Sequence, residues 1–202
     1  DNNLIQFENK KKYDIEWGEY YAIVIGNNIY DQETSNLSNL RTAINDAETI
    51  GMILENKYGF KTEVIKNATR DNIFKTLKKY RSILTENDNL LIYYAGHGTI
   101  EPMTKEGYWL PVDAKDNQEW TWFGNRDLVS QVNTFNAKHI IVIADSCFSG
   151  SIFDEKKIEV RGSFVNNNPD LEMVFHNMNR KKTRIAITSG NKEFVPDSIN
   201  DS

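Results

Sequence analysis

Three short apolar runs constrain this chain more than any other feature. Tyr20–Gly26 reads YYAIVIG, Asn89–Ala95 reads NLLIYYA, and residues 139–144 read HIIVIA. Each is rich in β-branched or aromatic residues and almost free of polar interruption. That is the pattern of a strand covered on both faces, not of one alternating between core and water. Each run stops abruptly in small or polar residues: Gly26-Asn27-Asn28, Gly96-His97-Gly98 and Asp145-Ser146-Cys147.

Helical spacing fills the gaps. Leu40, Ala43, Ile44, Ala47, Ile50, Ile53 and Leu54 recur along one face of residues 40–57, and Tyr58-Gly59 supplies a stop. Thr69 has the character of an N-cap for a second amphipathic helix, carrying Ile73, Phe74, Leu77, Tyr80 and Leu84 to position 84. Shorter strands are expected at 61–65 (KTEVI) and 184–188 (RIAIT), a short strand or hairpin arm at 107–112, and a weak helix over 125–137. Strands alternating with helices predict an α/β fold with a mostly parallel sheet and crossover helices.

Composition removes several classes of function. The net charge is −5, which argues against nucleic acid or an anionic membrane as the main partner, since both select for clustered Lys and Arg. No apolar stretch approaches the length of a membrane-spanning helix, and the first residues lack the apolar core of a signal peptide. One cysteine among 202 residues excludes an intramolecular disulfide and fits a reducing compartment, so the expected location is cytoplasmic. That cysteine and three histidines (His97, His139, His176) stand at no zinc-ligand spacing, and Gly26-Asn27-Asn28 lacks the glycine spacing and Lys of a phosphate loop.

In an open parallel sheet, functional groups gather at the carboxyl ends of the strands. Two of those ends deliver His97 and Cys147. A thiol attacks as its thiolate, so a neighbouring imidazole makes it useful near neutral pH and then supplies the proton for the leaving amine. Gly98 admits a close backbone approach, and the N–H groups of Gly98 and Cys147 are the natural oxyanion donors. No acidic third member of a triad is evident; a backbone carbonyl could orient the imidazole. The plain alternative, an inert buried thiol and a glycine-flanked histidine in a tight turn, weakens when both residues terminate apolar strands.

The segments YYAIVIGNNIY, LRTAINDA, NLLIYYAGHG, GYWLPVDA and HIIVIADSCFSG, in this order, resemble the caspase and metacaspase superfamily of clan CD cysteine peptidases, most closely the bacterial metacaspase-like or orthocaspase branch. The resemblance covers about residues 20–150, with a weaker echo at RIAITSG. The 50-residue separation of His97 and Cys147 is one known for caspases, so it counts as part of the resemblance. What is implied is a caspase-like three-layer αβα sandwich and a cysteine endopeptidase, with His97 and Cys147 catalytic. The sequence around the cysteine is Asp-Ser-Cys-Phe-Ser-Gly, which points away from the animal caspases. In metacaspases acidic residues line the specificity pocket and cleavage follows Arg or Lys; the matching positions are Asp46 and Asp145. Arg41 lies close to Asp46 and leaves an Asp-directed pocket as the alternative. A non-catalytic caspase-fold module is a further alternative.

The resemblance also divides the chain: an arm at 1–19, the catalytic core at 20–150, a linker with possible processing at 151–183, and the truncated start of a small-subunit part at 184–202. Lys156, Lys157, Arg161, Arg180, Lys181 and Lys182 make the linker a candidate for self-cleavage. The expected partners are a protein or peptide substrate and, beyond it, other domains or an activator. No cofactor or metal is predicted; Asp113 and Asp116 could bind calcium, as in some metacaspases, but form no contiguous calcium loop. Tyr108, Trp109, Trp120 and Trp122 are open between a substrate-groove role and a role as core or loop anchors.

Overall fold

The computed structural model describes residues 17–146 and 181–189. In chain order the elements are β1 (Tyr20–Gly26), α1 (Ala43–Tyr58), β2 (Lys61–Lys66), α2 (Arg70–Ile83), β3 (Asn89–Ala95), β4 (Gly98–Ile100), β5 (Gly107–Trp109), β6 (Phe123–Gly124), α3 (Asn125–Asn133), β7 (His139–Asp145) and β8 (Thr183–Thr188). The longer strands form a sheet in the order β2-β1-β3-β7-β8, with every pairing parallel. The short ones make a separate antiparallel sheet, β4-β5-β6.

The apolar runs behave as their composition demands, burying side chains on both faces. On one side Ala22, Val24, Tyr93 and Ala95 pack with Ala43 and Ala47 of α1. On the other, Ile23, Ile25, Ile92, Ile140 and Val142 pack with residues of α2 and α3, including Ile73, Leu77 and Leu128. Helices therefore cover both faces of the sheet, the αβα sandwich expected from the resemblance.

Helix α1 begins three residues later than its apolar spacing suggests. The backbone N–H of Leu40 donates to the Asn28 carbonyl (2.9 Å), and Asn28 Oδ1 accepts the N–H of Ile44 (3.0 Å), so the loop after β1 holds residues 40–42 out of the helix. At its far end Gly59 takes the left-handed conformation (φ 70°) that closes a helix and that glycine adopts without strain. Ala43, Ala47 and Gly51, four residues apart, form the buried stripe of α1 and let it lie close on the sheet. Helix α2 starts on a capping box: Asn72 N–H donates to Thr69 Oγ1 (3.1 Å), and Thr69 N–H donates to Asn72 Oδ1 (3.1 Å). Helix α3 ends at Asn133, short of the expected 137, and Phe135 and Ala137 enter the core from the turn that follows.

The carboxyl edge of the sheet is tied together by asparagines. Asn27 Oδ1 accepts the N–H of Ala68 (2.7 Å), while its own N–H donates to the Ala95 carbonyl (2.9 Å), linking the ends of β1 and β3. Asn67 Oδ1 accepts the N–H groups of Asn28 (2.9 Å) and Ile29 (3.0 Å). Asn67 itself has φ 49°, a conformation asparagine tolerates better than most residues.

The closeness of α1 to β1 yields a stability test. A Cβ at Gly26 would stand 2.5 Å from the Ala43 carbonyl oxygen and 2.8 Å from Ala47 Cβ. Backbone cannot yield as a flexible side chain does, so Gly26→Val is expected to cost about 1–3 kcal/mol of stability. The measurement is the urea midpoint, which should fall with little change in slope.

Candidate active site

His97 follows β3 by two residues and precedes β4 directly. Its main chain and its ring are both held. The His97 N–H donates to the Tyr30 hydroxyl (2.9 Å). Its carbonyl accepts the Leu110 N–H (2.9 Å) and the Tyr94 hydroxyl (2.8 Å), which also lies 2.9 Å from the Leu110 carbonyl. The imidazole Nε2 stands 2.8 Å from the Ser38 carbonyl oxygen. A carbonyl can only accept, so Nε2 carries a proton and the neutral ring keeps its lone pair on Nδ1. A backbone carbonyl thus occupies the orienting position for which the sequence offers no carboxylate.

The glycine of Gly-His-Gly has a steric reason. A Cβ at Gly96 would meet the Tyr94 hydroxyl at 2.7 Å and the Tyr30 hydroxyl at 2.9 Å. Tyr94 is fully buried and stacks on Trp109 with ring centroids 4.5 Å apart, so neither ring can retreat easily. Gly98 opens β4 and pairs with Trp109.

Cys147 lies outside the described residues, but Asp145, the last residue of β7, does not. The parallel register sets Asn89 opposite His139 and Ala95 opposite Asp145. Asp145 shares the α1 side of the sheet with Tyr93, whose hydroxyl donates to Asp145 Oδ2 at 3.4 Å. Burial, followed by the charges of Asp145 and Asp46, drives the Tyr93 phenol well above its ordinary pKa. The fold therefore gathers Asp46 of α1 and Asp145 of β7 around one buried phenol, a cluster in which Tyr93 was not anticipated. The signal for it was its place in β3, four residues before His97. Arg41 is exposed and precedes α1.

The aromatic residues divide. Trp109 belongs to the core, between Tyr94 and Phe123. Trp122 donates its ring N–H to the Lys115 carbonyl (2.9 Å), packs edge-on against Tyr108, and lines an open cleft of about 280 Å³ with Leu37, Thr99 and Leu110. Trp120 is 72% exposed. Asp113 accepts the N–H of Arg70 at the start of α2 (2.9 Å), and Asp116 accepts both the main-chain and side-chain N–H of Asn36. Among the described residues, no group of three or more His, Cys, Asp or Glu is arranged to hold a metal ion. No helix there is long and apolar enough to cross a membrane.

Comparison with known proteins gives consistent results. The family described as "Caspase domain" (Peptidase C14) matches residues 19–194. Metacaspase-6 of Arabidopsis thaliana is 32% identical over 154 residues, covering 69% of this chain and 40% of the relative. Metacaspase-7 of the same plant is 29% identical over 166 residues, covering 75% and 40%. The chain thus spans well under half the length of these curated relatives. Among solved structures, the crystal structure of protein GSU0716 from Geobacter sulfurreducens superposes with a TM-score of 0.55 at 22% identity, covering 64% of this chain and 51% of that one. At that identity the likeness concerns the fold.

The buried tyrosines predict an alkaline instability. Burial pushes Tyr30 up from 10.0 to about 12, while the His97 amide and Tyr94 pull it partly back. Tyr93 and Tyr94 are raised further, chiefly by burial. Between pH 10 and about 12 the unfolded chain releases phenol protons that the native chain keeps, so stability is fully present below pH 10 and lost as pH rises through the folded values. Urea midpoints measured across this range should fall with pH, and less steeply in Tyr30→Phe; parallel slopes would contradict the assignment.

Proposed function

Because the chain belongs to the caspase-domain family, we propose that it is a cysteine endopeptidase with Cys147 as nucleophile and His97 as base, cleaving after Arg or Lys. The observation that carries this reading is the offset between β3 and β7. Every paired position differs by the same number, from Asn89 with His139 to Ala95 with Asp145. His97 and Cys147 are separated by that same number and each follow the final pair by two residues. Neighbouring strands in such a sheet lie about 4.8 Å apart, a spacing that suits proton transfer between side chains leaving the two ends.

The chemistry follows from the ring's tautomer. With Nε2–H engaged by the Ser38 carbonyl, Nδ1 is the site that takes the thiol proton. The thiolate attacks the scissile carbonyl, forming a carbon–sulfur bond, and the N–H groups of Gly98 and Cys147 receive the developing oxyanion. The carbon–nitrogen bond then breaks, and His97 passes its proton to the leaving amine. Water, deprotonated by the same Nδ1, hydrolyses the thioester and restores the thiol.

Specificity for a basic side chain rests on the two carboxylates around Tyr93. A guanidinium can bond bidentately to a carboxylate, which favours Arg over the point charge of Lys. The same preference makes the basic residues of segment 151–183, of which residues 151–180 lie outside the described residues, targets for the chain itself. Intact-mass measurement should show cuts there in the wild type and none in Cys147→Ala.

Fluorogenic peptides ending in Arg, Lys or Asp test the main proposal. The wild type should cleave after Arg and Lys, and Cys147→Ala should be inactive. Asp46→Asn and Asp145→Asn should each lower kcat/KM for the Arg peptide by at least about tenfold, the scale of a charge-assisted hydrogen bond. Cleavage after Asp would overturn the acidic pocket in favour of an Arg41-based one. No cleavage of any peptide, with calcium also supplied, would overturn catalysis by this chain and favour the non-catalytic module.

A further inference from the structure

We propose that Tyr30 is a positioning residue for His97, fixing the imidazole against the Ser38 carbonyl so that Nδ1 stays available to the thiol. The proposal rests on the Cys147–His97 reading above and deepens it.

Gly96 and His97 lie in a break between β3 and β4, and although the Leu110 N–H reaches the His97 carbonyl, the His97 N–H finds its partner outside both sheets. Tyr30 supplies that partner. Its buried hydroxyl accepts the His97 N–H at 2.9 Å, and its ring lies 4.8 Å from the imidazole, centroid to centroid, at a tilt of 50°. Among the partners of His97 described above, Tyr30 alone touches both the main chain and the ring. The Tyr94 hydroxyl and the Leu110 N–H act only on the carbonyl, and Ser38 only on Nε2.

Tyr30 and Ser38 also belong to one loop, which ties their positions together. The Tyr30 N–H donates to Asn39 Oδ1 (2.9 Å), and Asn39 follows Ser38 directly. The loop is pinned at its start, where Asn28 is bonded to Asn67, and again where Leu40 donates to the Asn28 carbonyl. It therefore presents two acceptors at a fixed separation, the Tyr30 hydroxyl for the backbone of His97 and the Ser38 carbonyl for its ring. Rotation of the ring away from Ser38 would break the Nε2 bond and turn the wrong nitrogen toward the nucleophile.

Tyr30→Phe keeps the ring and removes only the acceptor, leaving a half-buried N–H unpaired. Two readouts separate positioning from stability. One is the division between kcat and KM. The other is alkylation by iodoacetamide as a function of pH, which reports Cys147 alone because the chain has no other cysteine. The expected result is a kcat at least about tenfold lower with KM nearly unchanged, on the scale of a general base. The alkylation profile should shift toward higher pH, that of an unassisted thiol, with the circular dichroism of a folded chain. If Tyr30→Phe does not fold, Asn39→Ala, which frees the Tyr30 N–H, should give a smaller loss in kcat and a shift of the same sign. Unchanged kcat and alkylation in these variants, with both altered in His97→Ala, would overturn the role of Tyr30 and leave the dyad standing. An alkylation profile unmoved by His97→Ala would overturn the dyad itself.

Discussion

The parallel pairing of β1, β3 and β7 at the centre of the sheet is the constraint on which the rest of this molecule depends. A parallel ladder cannot turn back through a tight hairpin, so each strand must be followed by a crossover, and the helices of those crossovers cover both faces. All carboxyl ends consequently emerge along one edge. The end of β1 carries the Asn27-Asn28 loop, the end of β3 carries Gly96-His97-Gly98, and β7 closes on Asp145. What would be distant segments in the chain become neighbours through hydrogen bonds that have no direct interest in chemistry.

At that edge the polar groups are committed to one another. Asparagine side chains accept the main-chain N–H groups of neighbouring loops, and tyrosine hydroxyls bond the peptide of His97. Such groups would be costly to bury unpaired, which makes the arrangement cooperative: each loop is held because the others are in place. The glycine before His97 belongs to the same logic. Its missing side chain is the room in which two phenol oxygens sit.

Much of this was legible in the residues. Near-continuous apolar runs announced strands covered on both sides, and the α1 and α2 segments showed their helical spacing, while α3 was legible only as a weak helix. His97 was singled out because it stands at a strand end, and Asp145 because the family resemblance matches it to an acidic position of the specificity pocket. Less visible were the start of α1, delayed by the side chain of Asn28, and the strands β4 and β6, which are two or three residues long and show no period. Trp109 illustrates the limit well. Its sequence neighbourhood left a groove open beside the commoner role of core or loop anchor, and stacking on Tyr94 and Phe123 assigns it to the core.

The sequence by itself determined the class of fold, the elements that build the sheet and the reactive residue types at their ends, because periodicity and composition are local properties. It also carried the offset between His97 and Cys147. The strand order was decided only by the tertiary structure, as was the register that makes this offset meaningful. So were the carbonyl of Ser38 at Nε2, the hydroxyl of Tyr30 at the His97 amide, and the gathering of Asp46 and Asp145 around Tyr93. The physical reason is the same in each case. A backbone carbonyl is chemically identical at every residue, and a tyrosine reads alike in a core or a site. What such a group does depends on which distant part of the chain packing and pairing bring within reach.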